Sequence, residues 1–284
     1  MGGKPEISIL IANYNNGHFF KDALLSLLRQ TIVDWEAIVI DDGSTDNSVE
    51  VIRNLIRSDK RFRVYQNQVN LGYQKTISHA ISLSRAELFG RLDPDDALHP
   101  EALELSVKAH HNFPEVGLVY SNIVYCDRNL QPTAILKGRQ IEDLDESSYN
   151  LEGTIWPFAT FKKDIYDKTS GIDVYNRRAE DQDIYLKMCE MAPVKYIDRE
   201  TYYYRIHDQG ASTMENRDKA FFWQWVALIK MAERREKNIE DLFNEYFAEA
   251  CLLNIFKQRR KNLFAAIDKN RILSMFAYLA GKKN

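Results

Sequence analysis

Two short apolar runs, Ile7-Ser8-Ile9-Leu10-Ile11-Ala12 and Trp35-Glu36-Ala37-Ile38-Val39-Ile40, each end in a polar turn and then give way to residues at helical spacing. Runs of this length, bounded by turn formers, read as strands buried on both faces. The first turn is Asn13-Tyr14-Asn15-Asn16-Gly17, and its helix carries Phe20, Ala23, Leu24, Leu27 and Leu28. The second turn runs from Asp41 to Ser48, and its helix carries Val49, Ile52, Leu55 and Ile56, with Ser44 or Thr45 expected to cap it. Strand, polar turn and helix in repetition predict a parallel α/β sheet, and such sheets bind ligands at the carboxyl ends of their strands. Both turns fall at that edge, and so does the acidic segment that follows Glu87-Leu88-Phe89-Gly90.

That segment, Arg91-Leu92-Asp93-Pro94-Asp95-Asp96, packs three carboxylates into four positions. Crowded carboxylates repel one another, and a divalent cation relieves the repulsion. Hard oxygen ligands select Mg²⁺ or Mn²⁺, and Mg²⁺ is usually held by one or two carboxylates together with substrate phosphates. The cluster therefore points to a phosphorylated substrate. Taken alone, a solvated acidic turn with Pro94 at its corner explains the residues equally well.

Several function classes drop out on composition. A formal charge of −3 over 284 residues excludes a globally basic nucleic-acid binder. No G-x-G-x-x-G follows the first strand, and no Gly-rich phosphate loop precedes the first helix, which disfavours dinucleotide dehydrogenases and nucleotidyltransferases. Cys126, Cys189 and Cys251 are scattered and lack metal-site spacing, as expected of reduced thiols in a cytoplasmic protein. Met1-Gly2-Gly3-Lys4-Pro5 leads directly into the first strand without a signal-peptide pattern, and no apolar run approaches the roughly 20 residues of a spanning helix.

Four segments in order, Ser8 to Asn15, Ile40-Asp41-Asp42-Gly43-Ser44-Thr45-Asp46, Leu92-Asp93-Pro94-Asp95-Asp96 and Glu180-Asp181-Gln182-Asp183, resemble the signature of the family 2 glycosyltransferases of the GT-A fold. The resemblance spans roughly residues 5 to 210 and implies a Rossmann-like, mainly parallel α/β sheet flanked by helices. The catalytic domain would be residues 1–213, with a helical C-terminal region over residues 214–284. Carried over position by position, it implies that Ala12, Asn13, Tyr14, Asp42 and Asp93 bind the nucleotide, with Tyr14 bordering the base and Asp42 hydrogen-bonding it. Asp95 and His207 would ligate Mn²⁺ or Mg²⁺, Asp181 would be the general base beside Glu180, and Trp156 and Asp96 would meet the acceptor or donor sugar. The implied activity is inverting transfer from a nucleotide sugar, UDP-linked by expectation, to a glycan or lipid-linked acceptor in surface-polysaccharide synthesis. A non-catalytic nucleotide-sugar-binding protein on the same fold is the alternative. Two departures from the pattern matter. Ile77-Ser78-His79 stands where many relatives carry an Arg-Asn pair, where Lys75 could substitute but a solvated lysine is the favoured reading, and no Gln-x-x-Arg-Trp follows Asp181, which predicts one sugar per encounter.

Inverting transfer needs a carboxylate on the face opposite the leaving group. Asp181 fits at the expected start of a helix over Asp183 to Met191, whose Ile184, Leu186, Met188 and Cys189 can pack while the first turn stays open. An acidic first turn that merely complements the helix dipole gives the same residues. Elsewhere, His99-Pro100 opens a helix through Leu103, Leu105, Val107 and Ala109, Val116 to Tyr125 reads as a strand, and adjacent His110 and His111 read as surface residues. Arg139 to Tyr149 reads as a mobile loop, and Gly153 to Phe158 as a return to the site with Trp156 at its centre, stacking on sugar or simply packing. Helical stripes follow at Phe221, Phe222, Trp225, Leu228, Ile229 and Ala232, and again at Leu242, Phe243, Tyr246, Phe247, Ala250 and Leu253. Residues 257–284 interleave Lys and Arg with apolar positions, suiting either an anionic membrane surface or a solvated face over a packed stripe.

Overall fold

The structure is a computed structural model that describes residues 3–142, 154–207 and 217–246. The chain divides into two compact units, Met1–Met231 and Ala232–Asn284. The first unit opens with β1 (Ile7–Asn13), α1 (Phe20–Leu28), β2 (Trp35–Asp41), α2 (Ser48–Ile56), β3 (Phe62–Gln66), α3 (Tyr73–Leu83) and β4 (Leu88–Arg91). It continues with β5 (Ala97–Leu98), α4 (Ala102–Asn112), β6 (Leu118–Cys126), β7 (Pro132–Leu136), β8 (Thr160–Lys162), α5 (Lys163–Tyr166), α6 (Glu180–Met191) and β9 (Val194–Arg205). Two further helices are α7 (Arg217–Arg234), which runs across the boundary, and α8 (Ile239–Tyr246) in the second unit.

Among the described residues the strands form one sheet in the order β3-β2-β1-β4-β8-β6-β9-β5, with β7 paired to β6. The first four strands of this order are parallel, as the strand–turn–helix repeats predict. Beyond them β8 is antiparallel to both β4 and β6, and β9 returns parallel to β6. The two apolar runs lie side by side from Ile7↔Trp35 to Asn13↔Asp41, so their turns emerge at the same edge. On the other flank of β1, Leu10 pairs with Arg91 and accepts the Leu92 N–H at 3.0 Å, which starts the acidic segment beside the first turn.

Ile7, Ile9 and Ile11 pack in one core cluster with Phe20, Ala23, Leu24 and Leu27 of α1. Each such side chain contributes about 1.5–3 kcal/mol on burial. Two polar residues interrupt these strands, Ser8 and Glu36, which are paired in register and fully buried. The Glu36 carboxylate accepts the Ser8 hydroxyl at 2.8 Å, the Arg85 N–H at 2.8 Å, and the Arg85 and Arg63 guanidinium groups at 2.8 and 3.2 Å. Burial raises its pKa, but these donors together outweigh burial and leave it below the ordinary 4.5. Because the folded pKa is depressed, the resulting stability is present above pH 4.5 and is lost as pH falls through the folded value. Glu36→Gln should therefore cost about 1–3 kcal/mol at pH 7 in denaturant unfolding. The gap from the wild type should narrow below pH 4.5.

Three expectations are corrected. His110 is 2% exposed rather than on the surface, because α4 turns it inward to place Nε2 3.1 Å from Thr160 Oγ1 in β8, and burial pushes its pKa down to about 4. His111 is exposed as read. The N-cap of α2 is Asn47, without a side-chain cap hydrogen bond, and neither Ser44 nor Thr45; one residue further on, the Ser48 N–H donates to Asp46 Oδ1 at 2.9 Å. Ser44 Oγ instead accepts the Asn15 N–H at 2.9 Å, and the Thr45 N–H donates to Asn15 Oδ1 at 2.9 Å, so both tie the second turn to the first. Finally, α6 begins at Glu180, three residues earlier than its apolar pattern indicates, after a left-handed residue at Ala179 with φ 53°.

Close backbone approach demands glycine at one place in each of the first two turns. A Cβ on Gly17 would meet Ser48 Cα at 2.5 Å, and Gly43, at φ +70°, would meet the Val69 carbonyl carbon at 2.5 Å. Most of the Arg139–Tyr149 loop, the stripe positions from 247 onward and the basic stretch 257–284 lie outside the described residues. Among the described residues no helix is long and apolar enough to cross a membrane.

Candidate active site

The carboxyl edge of the sheet borders a cleft of about 440 Å³, within the ordinary range of ligand sites. It is lined by Ala12 and Tyr14 from the first turn, Asp93, Asp95 and Asp96 from the segment after β4, Trp156 from the return loop, Glu180 and Asp181 from the start of α6, and His207 just past β9. Asn13 and Asp42 lie off this lining and are buried. The Asp42 carboxylate accepts the Asn67 amide at 2.8 Å and the Leu71 and Gly72 N–H groups at 2.9 Å each, which shapes the loop entering α3. Asn13 donates its amide to Ser44 Oγ at 3.3 Å.

The acidic segment is held from β9. Arg205 donates its N–H to Asp96 Oδ1 at 2.7 Å, its Nε to the Asp95 carbonyl at 2.6 Å, and a terminal nitrogen to Asp22 at 2.7 Å. The Tyr202 hydroxyl donates to Asp96 Oδ2 at 2.7 Å and accepts the Asp93 N–H at 3.2 Å. Asp96 thus has both oxygens engaged and is 2% exposed. Its pKa lies well above the carboxylate range, through burial first and then the neighbouring Asp95 and Asp93 charges. Asp95 keeps its carboxylate at the cleft, where Oδ2 stands 2.8 Å from His207 Nε2.

Arg91, the last residue of β4, opens the acidic motif, and its place in the sequence alone points to no role there. Its guanidinium sits among three carboxylates, 3.6 Å from Asp93 Oδ2, 3.5 Å from Glu180 Oε1 and 3.6 Å from Asp181 Oδ2, and lies over the Tyr73 ring at 5.6 Å. Burial opposes its charge, but Asp93, Tyr73 and Asp181 more than offset burial and hold it protonated. A cation closing an otherwise apolar strand immediately before an acidic segment was the available signal. Lys75, the basic contact considered from the sequence, is exposed and does not line the cleft.

On the α6 side, burial and then the Asp181 charge push Glu180 up to about 7, with Arg91 opposing. Asp181 is the more accessible of the two, with its side chain 35% exposed against 17% for Glu180. The third acidic residue, Asp183, points away into a buried ion pair with Lys187 at 2.7 Å. The cleft therefore gathers the Asp95–His207 pair and the carboxylates of Glu180 and Asp181, with the Arg91 guanidinium between Asp93 and the α6 carboxylates. Among the described residues no three His, Cys, Asp or Glu side chains converge as a metal cage. Asp95 with His207 suits a cation that takes its remaining ligands from a bound diphosphate and water.

The family model described as "Glycosyl transferase family 2" matches residues 8–170, more than half of the chain. The chain is 29% identical over 210 residues to a chondroitin synthase of Pasteurella multocida (strain Pm70) and, over the same length, to a hyaluronan synthase of Pasteurella multocida; each match covers 73% of this chain and 21% of the relative. The chain thus spans about a fifth of the length of these relatives. Among solved structures it resembles the mannosyltransferase PcManGT from Pyrobaculum calidifontis in complex with GDP-Man and Mn²⁺, with a TM-score of 0.67 at 14% identity over 99% of this chain and 82% of that one. It also resembles residues 1–349 of S. aureus TarS in complex with UDP-GlcNAc, with a TM-score of 0.63 at 18% identity over 80% of this chain and 66% of that one. These likenesses at low identity establish the fold as the GT-A type. With the family signature at the carboxyl edge of a GT-A sheet and the family match over residues 8–170, the chain belongs to glycosyl transferase family 2.

Proposed function

We propose that the chain is a cytoplasmic, inverting, metal-dependent transferase that moves one sugar from a UDP-sugar to a hydroxyl of a glycan or lipid-linked acceptor during surface-polysaccharide synthesis. The observation that carries this reading is that Asp95 with His207 and Asp181 with Glu180 line one and the same cleft. Ala12, Tyr14 and Asp93 hold the nucleoside, backed by Asn13 and Asp42. Asp95 and His207 hold Mn²⁺ or Mg²⁺, which supplies positive charge against the leaving diphosphate. The similar mannosyltransferase structure in complex with GDP-Man and Mn²⁺ supports a nucleotide sugar with a divalent metal, and the TarS complex with UDP-GlcNAc supports the uridine nucleotide.

In the proposed reaction, an acceptor hydroxyl gives its proton to Asp181 as its oxygen bonds to the anomeric carbon. The bond from that carbon to the diphosphate oxygen breaks on the opposite face, and the nucleoside diphosphate departs with the electron pair. Glu180, which titrates near 7, lies next to the proton acceptor in the pH range where the reaction must run. Trp156 floors the sugar position, while Asp96 fixes the acidic segment from below through Tyr202 and Arg205.

Titrating UDP into the wild type and Asp95→Ala, each with Mn²⁺ and with EDTA, tests the metal assignment. The wild type with Mn²⁺ should bind at least tenfold more tightly than the other three combinations, because uncompensated carboxylates repel the diphosphate. Equal affinity in all four removes the metal from the proposal.

A further inference from the structure

Beside the cleft mouth, the segment before α6 and the first turns of α7 expose aromatic side chains that no step of the proposed transfer uses. Tyr175 is 74% exposed and Phe222 is 56% exposed. The Tyr175 ring meets Trp223 at 5.9 Å and 72°, and Trp223 meets Phe222 at 5.5 Å and 83°. This shelf is rigid at its base. Lys230 Nζ bonds Asp173 at 2.6 Å and Asn176 at 2.7 Å, and lies 5.5 Å from the Tyr175 ring. The shelf is also continuous with the cleft, because Arg177, two residues from Tyr175, and Gln224, next to Trp223, both line it. Arg91 and Arg205 in the same cleft are paired with carboxylates, whereas the exposed Arg177 guanidinium makes no ion pair or hydrogen bond among the described residues.

We propose that Tyr175, Trp223 and Arg177 form an outer acceptor subsite that takes a saccharide residue bearing a carboxylate. This rests on the transferase reading above and extends it to an oligosaccharide acceptor. Fixed Tyr and Trp rings offer a broad amphipathic surface at low entropic cost, which suits the C–H face of a pyranose. A planar guanidinium fork matches the two oxygens of a carboxylate bidentately. The acceptor then runs outward from Asp181, past Arg177, to the aromatic shelf.

The test uses two probes, a hexasaccharide of alternating N-acetylhexosamine and uronate and its carboxyl-reduced neutral counterpart, titrated calorimetrically alongside UDP with Mn²⁺. The wild type should bind the acidic probe more tightly than the neutral one. Tyr175→Ala and Trp223→Ala should weaken both by roughly tenfold, the usual loss when an aromatic anchor is truncated, while Tyr175→Phe binds as the wild type. Arg177→Gln should weaken only the acidic probe and so abolish the preference. Because Tyr175 is so exposed, its truncation should leave the fold and UDP affinity unchanged. Neither probe binding the wild type, or wild-type saccharide affinity in Tyr175→Ala, overturns the subsite. If UDP fails to bind the wild type while both probes behave as expected, the transferase reading falls and the saccharide subsite stands.

Discussion

Asp181→Asn should leave binding of UDP and Mn²⁺ at wild-type strength and lower sugar transfer by about 10²–10⁴-fold, the usual loss with a general base. The substitution keeps the shape of the side chain and removes its capacity to take a proton. Asp181 is the proposed proton acceptor because it lies at the start of α6, is more exposed than Glu180 and lines the same cleft as Asp95 and His207. The measurement is turnover with a competent acceptor or, in its absence, slow hydrolysis of the donor. Asp183→Asn supplies the contrast, since it breaks the buried pair with Lys187 and should lower stability rather than the rate per folded molecule. Glu180→Gln should depress the rate less than Asp181→Asn and flatten the pH dependence near 7, where Glu180 titrates. Wild-type turnover in Asp181→Asn would move the base to another residue. Tight donor binding with no turnover by the wild type towards any acceptor would favour a sugar-nucleotide-binding protein instead.

Arg91→Met should be the most damaging substitution at the site for stability, costing about 3 kcal/mol, the low end for breaking a buried ionic cluster. The low end applies because the three contacts all lie near 3.5 Å. Without the guanidinium, Asp93, Glu180 and Asp181 face one another uncompensated, so the folded variant holds protons more tightly than the wild type. Its stability therefore falls as pH rises. The gap between variant and wild type in denaturant unfolding should be widest at neutral pH and narrow towards pH 4–5. Arg91→Lys keeps the charge but loses the fork and should recover only part of the loss. A gap that is constant with pH would mean that Arg91 contributes by packing on Tyr73 rather than by charge.

The parallel half of the fold was legible because its information is local. Two apolar runs of strand length, each followed by a turn and a helical stripe, leave few other arrangements, and β1, β2 and their helices formed where the pattern put them. Errors arose where a side chain had a choice between a local and a distant partner. Ser44 and Thr45 have the chemistry of a helix cap, but Asn15 in the first turn outcompetes α2 for them. His110 is polar and helical, hence nominally surface, until β8 supplies Thr160.

The same division holds at the site. The sequence by itself determined the ligand edge of the sheet, the acidic segment after β4 and the carboxylate pair at Glu180-Asp181, because each is a short string whose chemistry travels with it. Only the tertiary structure decided what each acidic side chain meets. Asp95 is left facing His207, Asp96 is occupied by Tyr202 and Arg205, and Asp183 is drawn away by Lys187. It also decided that Arg91 would meet Glu180, 89 residues away in sequence. Charge acts through space and depends on burial, and neither the separation of two side chains nor the water between them is encoded in any one stretch of the chain.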